Sequence, residues 1–252
     1  MIIYEQPVNE LVRVCLRLEY LFAQLDLHMA KDPDFHTRDV IRLIVEILNV
    51  LDRPDLKSKF TQEFHRLSTV FAKLQDSPQI RKDKLSSTLA KLNELLASLI
   101  NTRGKIAQPL RDNEFIANIR LHLMTPGGDC CFEVPSFHYW MQQSAETHVT
   151  LLKEWMADFQ PIRSAMELLL GIIRTSAEPK EEMAENGFYH STLNIQVPTQ
   201  IIRVALDPKL VIYPESSVGK HRLTIRFMIP SITTRPKQTE EQVKFQLTIC
   251  NI

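Results

Sequence analysis

Glycine is scarce, six in 252 residues, and only Gly127 and Gly128 are adjacent. No G-x-G-x-x-G or G-x-x-x-x-G-K-[ST] run exists to cradle a phosphate, which excludes the common nucleotide-dependent enzymes. No G-x-S-x-G elbow occurs, and no carboxylate pair stands out from the surface acids. The sequence therefore predicts a protein that is not an enzyme. Cysteine is limited to Cys15, Cys130, Cys131 and Cys250, with no C-x-x-C spacing. The eight histidines, His28, His36, His65, His122, His138, His148, His190 and His221, include no H-E-x-x-H and no pair four apart. Neither a metal site nor a cofactor is expected. The neighbours Cys130 and Cys131 are expected on opposite faces of a strand, one of them as a buried apolar filler.

Net charge is also missing: 30 Lys and Arg balance 30 Asp and Glu. That removes the strongest case for a whole-chain nucleic-acid binder, which needs a marked excess of cations. Long apolar runs are absent too. Leu168 to Ile173 is the longest near the C-terminal half, far short of the roughly 20 residues that span a bilayer. Met1 to Pro7 carries no basic stretch followed by an apolar core, so no secretory signal is read there. The expectation is a cytoplasmic protein with no membrane partner.

What is present is periodicity. From about residue 8 to 123 apolar residues recur at three and four. Leu11, Val14, Leu18, Leu21, Phe22 and Leu25 mark a first helix, and Val40, Leu43, Ile44, Ile47, Leu48 and Leu51 a second. Leu56, Phe60, Phe64, Leu67, Phe71 and Leu74 mark a third, and Leu85, Leu89, Leu92, Leu96 and Leu99 a fourth. Breaks are predicted at Asp32-Pro33, Arg53-Pro54, Ser77-Pro78 and Gln108-Pro109, because the residue before proline disfavours helix. Four long amphipathic helices on short loops read as a bundle. A shorter helix is predicted over 112–123, then a strand at Cys130 to Val134, a helix opened by Pro135, and a helical segment over 148–174 broken or kinked at Pro161.

After Thr175 the period changes to two. Strands are predicted at Leu193 to Val197, Ile202 to Leu206, His221 to Phe227 and Gln242 to Ile249, with Asp207-Pro208 and Tyr213-Pro214 as turns. Ser231 to Glu241 reads as a hairpin loop. The predicted fold class is α+β: a helical bundle domain plus a C-terminal antiparallel β domain that also takes in short strands from the N-terminus and mid-chain. The expected domains are 6–175, with the inserted strand 130–134, and 186–252, joined by strand 2–5.

Neutrality conceals an asymmetry. Split at Asn186/Gly187, the first part carries 22 cations and 26 acids, a charge of −4, and the second 8 and 4, a charge of +4. Alternation from Lys220 to Phe227 puts Leu223, Ile225 and Phe227 on one face and Lys220, Arg222, Thr224 and Arg226 on the other. Arg203 and Lys244, each flanked by apolar neighbours in its own strand, extend that face if the strands pair. Three or more cations on one face suit an acidic peptide, since arginine grips a carboxylate through two parallel hydrogen bonds. The plainer reading is the wet side of a sheet, with cations discouraging edge pairing. A nucleic-acid-binding or general scaffold protein using this face is the alternative, weakened because no aromatics interleave with the cations.

Several segments together resemble one family, the Z-ring-associated cell division protein ZapD. They are Pro7-Val8-Asn9-Glu10 with Arg13 and Leu16-Arg17-Leu18-Glu19; Pro126 to Pro135 with His138 and Trp140; Asn186-Gly187-Phe188-Tyr189; and Arg222 to Phe227. Their order spans nearly the whole chain. The resemblance implies a non-enzymatic cytoplasmic homodimer at the division site that binds the C-terminal tail of the tubulin-like protein FtsZ through a basic pocket. It also implies that the dimer cross-links and bundles FtsZ filaments to promote Z-ring assembly and septation. Carried over residue by residue, the pocket takes Arg222 and Arg226, with Arg53 after the second helix and Lys220 added. Arg203 and Lys244 come from the sheet-face reading alone. No nucleic acid is expected as a partner.

Overall fold

The computed structural model describes residues 1–31, 33–74, 82–194 and 196–252, with the side chains of 33–35 left aside. Asp32 of the first expected break, the Ser77-Pro78 break and Ile195 lie outside the described residues. The described elements are β1 (Ile2–Pro7), α1 (Glu10–Met29), α2 (Pro33–Val50), α3 (Leu56–Lys73), α4 (Lys82–Asn101), α5 (Gln108–Asp112), α6 (Glu114–Leu123), α7 (Pro135–Trp140), α8 (Ala145–Ala157), α9 (Gln160–Arg174), β2 (Lys180–Ala184), β3 (Phe188–Thr192), β4 (Thr199–Leu206), β5 (Tyr213–Val218), β6 (Arg222–Ile229), β7 (Lys237–Gln238) and β8 (Val243–Asn251). The fold is α+β, with antiparallel sheets in the C-terminal part that recruit the N-terminal strand. Two compact units form, Arg17–Leu168 and Met1–Leu16 with Leu169–Ile252, the division falling inside α1 and α9.

In the helical unit the apolar stripes face inward. Leu18, Leu25, Ile44, Ile47, Leu48, Phe60, Phe64, Leu67 and Leu92 are all at most 1% exposed. Helix starts follow their caps: Asn113 accepts from the Ile116 amide at the head of α6, and Ser144 from Thr147 at the head of α8. Pro109, Pro135 and Pro161 all sit in first turns, where a missing N–H costs nothing. The long segment read over 148–174 is accordingly two helices, α8 and α9.

Cys130 to Val134 is not a strand. Gly127, at φ +72°, starts a run of tight turns in which the Gly128 amide donates to Thr125, Cys130 to Gly127, and both Glu133 and Val134 to Cys130. Gly128 has no alternative here, because a Cβ would lie 1.9 Å from the His122 carbonyl oxygen. Asp129 then reaches α2, accepting from Arg38 and Arg42. Two glycines and a twofold-liganded aspartate override the β propensity of Cys-Cys-Phe-Glu-Val. Alternation therefore does not apply to the cysteine pair: Cys131 is exposed and Cys130 half-buried, while Cys15 and Cys250 are the buried thiols.

The β unit is a sandwich. One sheet has the order β1-β4-β8-β2 and the other β3-β6-β5, with β7 pairing β6. Ile202, Val204, Leu206, Val243, Phe245 and Leu247 of the first sheet share a core with Leu223, Ile225 and Phe227 of the second. Three expectations need correction. Leu193 to Val197 is not a strand at its described residues; the chain leaves β3 at Thr192 and turns at Gln196. Tyr213-Pro214 is no turn but the start of β5, where proline's missing donor is tolerated because β5 is a sheet edge. Ser231 to Glu241 contains the short strand β7.

Candidate functional site

The alternation in β6 sets the site. Leu223, Ile225 and Phe227 are fully buried, so Arg222, Thr224 and Arg226 must point away from the sandwich core. Both arginines are exposed, and neither has an ion-pair partner among the described residues. Four residues apart in one strand, their Cα atoms are separated by about 13 Å.

Register supplies the neighbours. Phe188 on β3 pairs with Arg226, His190 with Thr224 and Thr192 with Arg222. On the other flank Glu215 of β5 pairs with Arg226 and Ser217 with Thr224. Directly paired residues share a face. The outward face thus has two arginines along its middle strand, a Phe188–His190 ring stack at one border, with centroids 6.0 Å apart, and one acid, Glu215, at the other. Glu215 accepts a long hydrogen bond from the Tyr213 hydroxyl at 3.5 Å. Partial burial and then the Glu215 charge push the Tyr213 phenol up.

The aromatic border was not foreseen, although its signal lay in Asn186-Gly187-Phe188-Tyr189. Asn186 and Gly187 both have positive φ, 50° and 64°, the signature of a type I′ hairpin turn. That turn hands the chain from β2 in one sheet to β3 in the other. The Phe227 amide donates to the Gly187 carbonyl, which pins the turn against β6. A side chain at Gly187 would meet the Thr239 carbonyl at 2.4 Å.

The other expected cations sit elsewhere. Lys220 is exposed in the β5–β6 hairpin turn rather than on the strand, since β6 begins at Arg222. Arg203 and Lys244 do not extend the face: β4 and β8 pair with each other in the opposite sheet. Arg203 is ion-paired with Glu5 at 2.9 Å, and Arg174 clamps the same carboxylate through both of its oxygens. Lys244 pairs with Glu181 of β2 at 2.9 Å. The condition that these strands pair with β6 fails, and with it their candidacy. Arg53 lies in the helical unit, half-buried in the loop after α2. Beside it Asp52 is held by Arg111 and Arg120. Burial opposes ionisation of Asp52, but hydrogen bonds from Arg120 and Arg111 outweigh it and hold the carboxyl below its usual range.

A cavity of about 750 Å³ in the β unit is lined by Leu210, Val211, Ile212 and Ile229 but also by Glu181, Asp207 and Glu241. Lys244 also lines it, and with three acids against one lysine the side-chain charge is net acidic, opposite in sign to the β6 face. Among the described residues no helix is long and apolar enough to cross a membrane.

An α+β chain with a helical unit and a two-sheet β unit, cationic on one outward face, is the class these observations define. A family model described as ZapD, cell division protein, matches residues 16–226. A cell division protein ZapD of Coxiella burnetii (strain RSA 331 / Henzerling II) is 39% identical over 253 residues, covering 100% of this chain and 98% of its own length. One from Chromobacterium violaceum is 36% identical over 252 residues, covering 99% of each, and one from Azoarcus sp. (strain BH72) is 33% identical over 252 residues, covering 100% of each. The chain belongs to the ZapD family of cell division proteins.

Proposed function

We propose that this protein binds the acidic C-terminal tail of FtsZ on the outward face of β3-β6-β5 and, as a homodimer, cross-links FtsZ filaments. The observation that carries the reading is the pair Arg222 and Arg226, exposed, unpaired among the described residues and flanked by an aromatic shelf. Their spacing suits an extended peptide with carboxylates about four residues apart on one side, since its own rise matches that of the strand beneath. Each carboxylate would receive two guanidinium N–H bonds, and an apolar side chain of the tail would cover Phe188. Lys220 at the hairpin tip adds a flanking cation, and Arg53, in the helical unit, is a separate candidate.

A disordered tail must order on binding, so a single contact is modest in affinity and weakened by salt. Two faces on one dimer convert modest contacts into filament bridging by avidity. The protein acts as a cytoplasmic, non-catalytic linker at mid-cell. Binding to nucleic acid is disfavoured by the lone pair of arginines and the acid Glu215 on the same face.

Co-sedimentation of FtsZ filaments at low speed tests the reading. Wild type should bring filaments into the pellet, and Arg222→Glu should not, with dimer mass by light scattering and helicity unchanged. Bundling by Arg222→Glu at the wild-type level would remove the site assignment.

A further inference from the structure

We propose that His28, His36 and Asp39 form a zinc site that ties the last turn of α1 to the first turns of α2. His28 stands in the last turn of α1; His36 and Asp39, three apart, share a face near the start of α2. Their donor atoms converge. His28 Nδ1 lies 3.2 Å from His36 Nδ1, His36 Nδ1 3.6 Å from Asp39 Oδ2, and His28 Nδ1 3.8 Å from the same oxygen. Zinc bound at about 2.0–2.2 Å to nitrogen and oxygen in tetrahedral geometry keeps its ligands about 3.3–3.5 Å from one another. The three observed edges bracket that triangle.

The two ring nitrogens are within hydrogen-bond distance of each other, so the Asp39 oxygen is the part of the cluster that hydrogen bonding does not account for. At 3.6 and 3.8 Å it is too far from either ring nitrogen for a hydrogen bond. It is nonetheless equidistant enough from both to share an ion with them. Two nitrogens and one carboxylate select a borderline-soft divalent ion such as Zn²⁺ over Mg²⁺ or Ca²⁺, which take oxygen ligands. All three residues are half-buried, so a fourth position remains open to water. The rings meet edge-on at 66° with centroids 5.0 Å apart. Motif spacing does not find this set, because the ligands sit on two helices, eight and three residues apart.

The test uses the untagged full-length chain, stripped with EDTA and titrated with Zn²⁺ against a chelating dye. Thermal melts with Zn²⁺ or Mg²⁺ accompany it. Wild type should take up one zinc and melt about 5–10 °C higher at saturating zinc, with no rise in Mg²⁺. His36→Gln and Asp39→Asn should each weaken zinc by about 100-fold or more while melting like the metal-free wild type. Cys130→Ser/Cys131→Ser should retain the zinc. No uptake by the wild type, equal uptake by His36→Gln, or loss of the ion in the double cysteine variant would each overturn the assignment.

Discussion

Phe188 of β3 stands directly across the ladder from Arg226 of β6, so an aromatic residue and an arginine share the exposed face of the sheet. Charge and apolar surface are therefore offered together. The two contributions separate experimentally, because only the first is screened by salt.

Phe188→Ala should weaken tail binding by roughly tenfold, about 1–1.5 kcal/mol, by removing apolar area that the peptide covers. The salt dependence should be unchanged. Anisotropy titrations at two ionic strengths check this, and a loss of salt dependence in Phe188→Ala would assign the residue to charge organisation instead.

Glu215 pairs across from the other side of Arg226 and is the one acid among the face residues identified on β3, β6 and β5. Glu215→Gln should strengthen tail binding a few-fold at low salt by removing repulsion of the tail carboxylates, and less at physiological salt. Unchanged affinity at low salt would place the peptide away from β5.

Asp129 carries a prediction about stability rather than binding. Burial opposes its charge, but hydrogen bonding to Arg38 and the charges of Arg38 and Arg42 hold its carboxyl below the usual range. The folded value lies below the unfolded one, so the stabilisation is present above the ordinary carboxylate range and fades as pH falls through the depressed folded value. Asp129→Asn should cost about 1–2 kcal/mol at neutral pH. The gap to wild type should narrow in acid, as urea melts at pH 7 and pH 3 would show.

Gly128→Ala forces a Cβ against the His122 carbonyl and should destabilise the helical unit by about 2 kcal/mol or more. Tail binding to the β unit should survive in chain that remains folded. Thermal melts and peptide titration on the same sample separate the two effects.

Much of the fold could be read from residue spacing because burial imposes it. The stripes of α1 to α4 and the alternation of β6 each record one face turned to a core. The failures have a common cause in contacts between distant residues. Cys130 to Val134 reads as a strand until Gly128 is seen under the His122 carbonyl and Asp129 on Arg38. β2 is hidden because Lys-Glu-Glu-Met-Ala at a sheet edge buries only Ala184. β5 is hidden by Pro214, which an edge tolerates. The outward placement of Arg222 and Arg226 was legible from one strand alone. Excluding Arg203 and Lys244 required the strand order, and finding Phe188 required the register that the Asn186-Gly187 turn sets.

The most direct measurement is fluorescence anisotropy of a labelled FtsZ C-terminal tail peptide against wild type and Arg226→Glu, at low and physiological salt. Saturable binding that weakens with salt and vanishes in Arg226→Glu is the predicted result. Equal binding by wild type and Arg226→Glu, or none by wild type at either salt, would contradict the assignment of the tail to the β6 face.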